Sequence, residues 1–198
     1  MTSISLPPGT AVFWFVGLPA SGKTTLARAL HAHLGPQLAP GAVRLLDADV
    51  ERADPRGVLY GLGWSPSDRL ATVTALAQAA ELVPVGLVTL VTSTAWERTA
   101  AQQLLGERLH LVHVDAPIAL CRQRDTVRST HAYRPDPPPD APELSWVTPP
   151  NPALRLNSTK PAEWSIAELL AFAASALGLT ESLTRPRPQA VVRRQPRR

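Results

Sequence analysis

The chain has 198 residues and a formal net charge of +4, a length that suits one globular domain with a real core. Its longest apolar runs are too short to cross a bilayer, and the lead-in Met1-Thr2-Ser3-Ile4-Ser5-Leu6-Pro7-Pro8 has no basic region, so neither a membrane span nor a signal peptide is expected. The single cysteine, Cys121, excludes an internal disulfide and points to a reducing, cytoplasmic setting.

In chain order, residues 1–10 form a lead-in with Pro7, Pro8 and Gly9. Residues 11–16, Ala-Val-Phe-Trp-Phe-Val, are an unbroken apolar run of strand length. Gly17-Leu18-Pro19-Ala20-Ser21-Gly22-Lys23-Thr24 follows, reading G-x-x-x-x-G-K-[ST]. From Lys23 to Leu34 the leucines at 26, 30 and 34 recur every four residues, which predicts an amphipathic helix ended by Gly35-Pro36. A buried strand, a glycine turn and a helix are the setting this phosphate-binding motif requires.

Val43 to Leu46 reads as a second strand, ending in Asp47-Ala48-Asp49, with a short helix starting at Val50 to Arg52. Residues 54–67 are loop-like, and Ser65 or Ser67 can cap a helix that begins near Asp68 and runs to about Val83. Strands are expected over 85–91, 109–114 and 153–156, and helices over 95–105, from Pro117 through Asp125, and over 165–177. Between Thr126 and Pro152 nothing periodic appears, and eight of the 18 residues from Pro135 to Pro152 are proline. In a nucleotide-binding domain a long loop of this kind serves naturally as a lid.

Strands alternating with helices predict an α/β fold: a three-layer parallel sheet with helices on both faces, of the P-loop nucleoside triphosphate hydrolase-like kinase type. The domain spans 11–180, with the lid at about 126–152 and a basic tail over 181–198. Residues 185–198 carry six Arg and no acid, so the rest of the chain sums to about −2. No aromatics accompany those arginines as stacking platforms, so a solvated, disordered extension is the plain expectation. Nucleic acid enters only through that tail.

The phosphate loop dictates its own chemistry. Its glycines let backbone N–H groups turn inward on a polyanion, and the helix N-terminus adds partial positive charge. Lys23 can reach the β- and γ-phosphates, and the Thr24 hydroxyl can ligate Mg²⁺. Gly17 through Thr24, with Thr25 and Arg124, form the expected ATP-binding set. The chain holds only two Lys, and Lys23 is one of them, where a slim ammonium is wanted instead of a planar guanidinium. No Asn-Lys-x-Asp guanine-reading motif is present, which argues against a GTPase.

Phosphoryl transfer also needs a group that prepares the acceptor hydroxyl. Asp47 and Asp49, two apart at an extended strand end, are expected to point the same way. One would orient the hydroxyl and the other would hold water around Mg²⁺, whereas an ordinary strand terminus with a capping Asp is the plainer alternative. Arg52 and Arg69 can hold an anionic acceptor. Trp64 either stacks on a planar base or plugs the core. Cys121 is expected to be buried and inert, and His131 has no partner visible by spacing.

With these residues placed, the chain resembles the adenylylsulfate kinase family. The matching stretches are Gly17 to Leu30, Leu46 to Asp49 with Arg52, and Leu62-Gly63-Trp64-Ser65-Pro66-Ser67-Asp68-Arg69. Weaker ones are Ser93, Val114 to Pro117, Cys121 to Asp125, and Asn151-Pro152. The resemblance implies ATP-dependent phosphorylation of the 3′-hydroxyl of adenylyl sulfate with Mg²⁺, in sulfate assimilation, and leaves a homodimer open. It makes Asp49 the catalytic carboxylate with Asp47 beside it, Arg52 and Arg69 substrate-binding, and Trp64 the stand-in for a stacking phenylalanine. Lys23 and Ser93 complete the catalytic set, and Arg124 lies on the nucleotide side. The chain departs from the family at Ala71 and Thr72, at Thr94 and Ala95, and in a lid without the family's phenylalanine, whose place Trp146 fills imperfectly. Two alternatives follow from those departures and from the tail: a kinase acting on another small-molecule hydroxyl, and a nucleotide-dependent protein that binds nucleic acid through its arginines.

Overall fold

A computed structural model describes residues 4–127, 132–134, 136 and 144–179. His131, residues 135 and 137–143 of the proline-rich stretch, and the basic tail lie outside the described residues. Five strands form one sheet: β1 (Ala11–Val16), β2 (Val43–Asp47), β3 (Val85–Thr89), β4 (Leu109–Asp115) and β5 (Leu154–Asn157). Their order is β2-β3-β1-β4-β5 and every pairing is parallel.

All six residues of β1 are buried. Alternation sends Ala11, Phe13 and Phe15 to one face and Val12, Trp14 and Val16 to the other. The first set packs with leucines of α1 (Lys23–Leu34) and α6 (Ala162–Ala176), and the second with α3 (Pro66–Glu81) and α4 (Ala95–Leu105). A strand covered on both faces reads as a continuous apolar run instead of an alternating one, which is why β1 is so plain in the sequence. Two shorter helices, α2 (Ala48–Ala53) and α5 (Ile118–Asp125), follow β2 and β4.

Element boundaries differ from the sequence expectations where local chemistry intervenes. Helix α3 starts at Pro66 because Ser65 caps it in a capping box with Asp68, and proline suits the first helical position. Strand β3 ends at Thr89, not 91, and the chain then turns through Thr92 at φ +47°. Helix α6 begins at Ala162, three residues before Ser165.

Strand β1 sits between β3 and β4, so the connections leave it in opposite directions. That is the switch point of a doubly wound sheet, where a crevice opens beyond the carboxyl ends of the strands. The loops after β1, β2 and β3 meet there.

Two histidines of β4 are held in apolar surroundings. His110 stacks on Phe13 with ring centroids 5.2 Å apart, and His113, 2% exposed, faces Trp146 at 5.7 Å. Burial pulls the pKa of both below the ordinary histidine value; at His113 the Asp115 carboxylate opposes this while Arg155 and Arg98 add to it. The unfolded chain therefore takes up these protons first, and stability is complete only above about pH 6.5. Thermal melts are expected to show Tm falling as pH drops from about 7.5 to 5.5, with a shallower slope in His113→Gln whatever its absolute Tm; equal slopes would contradict this assignment.

Candidate active site

The loop after β1 is shaped by close backbone approach. A Cβ on Gly17 would lie 2.6 Å from the Val114 carbonyl oxygen and 2.7 Å from Ser21 Oγ, so only glycine fits. Gly22, at φ +109°, is the N-cap of α1 and supplies no side-chain cap, which leaves the first amides of the helix for a ligand. Lys23, nine-tenths buried, curls back so that Nζ donates to the carbonyls of Gly17 and Leu18, each at 2.9 Å.

Thr24 links this loop to the next. Its hydroxyl donates to Asp47 Oδ2 at 2.7 Å, while Asp47 Oδ1 accepts from the amides of Asp49 and Val50 and so caps α2. The capping alternative and the functional one are thus combined in a single carboxylate. The expectation that Asp47 and Asp49 project alike from an extended strand needs correction: β2 stops at Asp47, and Asp49 sits in the first turn of α2. The helical turn keeps both on the wall of the same cleft.

Arg52, on the same short helix, donates to the carbonyls of Leu62 and Gly63 and lies over the Trp64 ring at 4.2 Å. Burial lowers the Arg52 pKa, with the Asp49 and Asp68 carboxylates opposing that shift, so Asp49 and Arg52 share one local field. Trp64 is 62% exposed. It is not a core plug; one aromatic surface is braced by a guanidinium.

At the far end, Arg69 forms a two-point ion pair with Glu97 and donates from Nη2 to Ser93 Oγ at 2.7 Å. Ser93 is 2% exposed and also accepts from Ser145 Oγ. The turn behind it is over-determined: Trp14 Nε1 donates to Thr92 Oγ1 at 3.1 Å, and buried Arg98 donates to the carbonyls of Thr92 and Ser93. Such bonds offset the roughly 1–2 kcal/mol that a left-handed conformation costs a β-branched residue. Trp146 does not replace a lid aromatic here. It packs on His113, on the sheet and on the cluster of Leu18, Ala116 and Cys121, and is not among the residues that line the cleft.

On the other side, Arg124 reaches from α5 to the Ser21 carbonyl at 3.2 Å and to Ser158 through both its hydroxyl and its carbonyl. Ser158 Oγ is itself 2.7 Å from the Ser21 carbonyl. Close by, the Tyr133 hydroxyl donates to the Pro19 carbonyl at 3.0 Å, and Asp125 accepts from the amides of Ala132 and Tyr133. These contacts bring Arg134 to the cleft wall. Cys121 is fully buried and burial pushes its thiol pKa up, as an inert core thiol requires.

Lys23, Thr24, Asp47, Asp49, Arg52, Trp64, Arg69, Ser93 and Arg124 line one cleft of about 1300 Å³. Glu97, Ser158, Lys160 and Arg134 belong to it without having been singled out from the sequence. Glu97 carries a readable signal, the capping box T-x-x-E at Thr94, but its bond to Arg69 joins residues 28 apart. Ser158 and Lys160 sit just after the edge strand β5 and reach the cleft only through strand order. Among the described residues no cluster of three or more His, Cys, Asp or Glu could hold a metal ion alone. One hydroxyl with one carboxylate fits a hard cation that keeps waters and takes its remaining oxygens from phosphates, as Mg²⁺ does.

Gly17→Ala is expected to weaken nucleoside triphosphate binding at least about tenfold by calorimetry, because the methyl must displace the Val114 carbonyl or the Ser21 hydroxyl. Unchanged affinity would mean that the loop does not depend on this approach.

The comparisons with known proteins agree with the geometry. The Mycobacterium tuberculosis APS kinase CysC, solved with AMPPNP and APS, superposes with a TM-score of 0.66 over 84% of this chain and 99% of that one, at 23% identity. A Sinorhizobium meliloti gluconokinase gives 0.63 over 90% and 100%, at 15% identity. At these identities the likeness is one of fold. In sequence, the adenylyl-sulfate kinase of Paraburkholderia xenovorans is 39% identical over 119 residues, and that of Erwinia tasmaniensis 40% over 120. Each match covers 58% of this chain, and 64% and 57% of the relative, so it spans less than two thirds of their length. The family model described as adenylylsulphate kinase matches residues 9–131, which contain β1 to β4, the phosphate loop, the Asp47–Thr24 link and the Arg69–Ser93 contact. With more than half its length inside that model, the chain belongs to the adenylylsulfate kinase family.

Proposed function

We propose that the protein transfers the γ-phosphoryl group of ATP to the 3′-hydroxyl of adenylyl sulfate, giving ADP and 3′-phosphoadenylyl sulfate. One observation carries the reading. The phosphate loop, Asp49, Arg52, Trp64 and Arg69 line a single cleft of about 1300 Å³. Sites for one drug-sized ligand run about 300–1000 Å³, so this volume suits two nucleotides meeting end to end.

In this reading ATP lies on Gly17 to Thr25, with Arg124 on its adenosine side. Lys23 leaves the loop carbonyls for the β- and γ-phosphates, exchanging one set of acceptor oxygens for another. The bridge from Arg124 and Ser158 to the Ser21 carbonyl supports a fixed loop, so its amides need little reorganisation when charge develops. Thr24 and Asp47 would hold a Mg²⁺ ion, which would supply neutralisation of the phosphate charge.

Asp49 takes the acceptor's hydroxyl proton as the hydroxyl oxygen attacks phosphorus in line, and ADP leaves. Arg52 and Arg69 hold the phosphosulfate, and the adenine stacks on the exposed face of Trp64. Ser93 orients Arg69 and is not itself phosphorylated on the way: a hydroxyl that is 2% exposed and already accepts two hydrogen bonds favours a positioning part over a nucleophilic one.

The cytoplasm is the compartment that fits a buried Cys121 thiol outside any disulfide. Among the described residues no helix is long and apolar enough to cross a membrane. Like its expected ATP partner, adenylyl sulfate is a small soluble molecule. The domain proper is read as 11–180, with 126–152 as lid and 181–198 as a basic extension.

Incubating the protein with ATP, Mg²⁺ and adenylyl sulfate should release ADP and form 3′-phosphoadenylyl sulfate. Asp49→Asn should lower kcat by about 10²-fold or more while the KM for ATP changes little. ATP binding without turnover of adenylyl sulfate would overturn the acceptor assignment, and loss of turnover on deleting 182–198 would shift weight to a tail-dependent partner.

A further inference from the structure

Glu97 is the third residue of α4, and its side chain is 5% exposed. Its first task is local. Oε2 accepts from the Thr94 amide at 2.9 Å and from the Thr94 hydroxyl at 2.7 Å, which closes the capping box of the helix. The same carboxylate then does something capping does not require. Oε1 accepts from Arg69 Nε at 2.9 Å and Oε2 from Arg69 Nη2 at 2.8 Å. Arg69 comes from α3, 28 positions earlier in the chain.

Two parallel bonds fix the plane of a guanidinium as well as its place. Arg69 Nη2 spends its second proton on Ser93. Nη1 makes no hydrogen bond among the described residues, and Arg69 lines the same cleft as Arg52 and Trp64. Burial alone would raise the Glu97 carboxyl; the bonds from Arg69 and from Thr94 outweigh that and hold it below the ordinary glutamate value, so it remains a carboxylate. An ion pair this buried gains little net stability over a well-packed apolar pair. Its clearer effect is geometric.

We propose that Glu97 is a positioning residue for the acceptor: by clamping Nε and Nη2 of Arg69 it presents Nη1 to the acceptor's anionic group. Arg69 then meets that group through a single nitrogen, and most of its charge is already answered by Glu97. This inference rests on the adenylyl sulfate reading for its kinetic test, but not for its structural one.

The structural test uses the wild-type protein without substrate. The ¹⁵N-edited spectrum should show a slowly exchanging Arg69 Nε–H, assigned by its loss in Arg69→Met, and that resonance should vanish or exchange rapidly in Glu97→Gln. Fast exchange in the wild type would overturn the clamp whatever the substrate proves to be. For the kinetic test, Glu97→Gln keeps one capping oxygen and should raise the KM for adenylyl sulfate by about tenfold, with the KM for ATP within about twofold. Thr94→Val, which touches the cap but not Arg69, should lower Tm without moving the acceptor KM. In an Arg69→Met background the effect of Glu97→Gln should disappear. Equal changes in both KM values, or additive effects in the double variant, would reduce Glu97 to a helix cap. If wild-type protein does not turn over adenylyl sulfate, the acceptor assignment fails and the Nε–H measurement decides Glu97 alone.

Discussion

The carboxylate of Asp47 is where the two halves of the cleft are joined. One oxygen accepts the Thr24 hydroxyl at 2.7 Å, and the other takes the first amides of α2. Thr24 belongs to the helix that follows the phosphate loop, whereas α2 carries Asp49 and Arg52. A single side chain therefore sets the separation between the loop that cradles phosphates and the helix that carries the acidic group. Removing it would free the N-terminus of α2 and leave the Thr24 hydroxyl to find another acceptor, so helix capping and site geometry are coupled in this fold.

Behind that junction the sheet acts as a rigid frame. Strand β1 is buried on both faces between the α1/α6 layer and the α3/α4 layer. Phosphate loop and switch point both lie at its carboxyl end, so movement of the loop is resisted by packing on two sides. Trp14 extends the frame into the site. Its indole fills one layer while its N–H reaches Thr92, helping to hold a turn that the backbone alone disfavours. The turn in turn presents Ser93 to Arg69.

The end of the cleft that carries Arg52 and Arg69 is built from internally paired charges. Arg69 is matched by Glu97, and Arg52 shares its field with Asp49 and Asp68 while stacking on Trp64. Elsewhere the same cleft is lined by Lys23, Arg124, Arg134 and Lys160. In the proposed reading, recognition of the acceptor depends on where individual N–H groups point more than on net attraction, since opposed charges in contact cancel at a distance.

The family resemblance and the phosphate loop were legible in the sequence because they are local. Eight consecutive residues between an apolar strand and an amphipathic helix carry their own geometry, and the fully buried β1 announces a parallel sheet. Asp47, Asp49, Arg52, Trp64 and Arg69 could be named from their segments, and all five line the cleft. What those segments could not reveal was orientation. Whether Asp49 stood on a strand or a helix depended on Asp47 capping α2, and whether Trp64 was core or surface depended on Arg52 lying against it. Glu97, Ser158 and Lys160 were invisible as site residues because their partners are 28 to 137 positions away or are set by strand order. Sequence determined which short stretches can bind phosphate or carry charge, since spacing along a chain fixes local conformation. Only the tertiary structure decided which charges neutralise each other, because that pairing exists only once the sheet has brought distant loops to one edge.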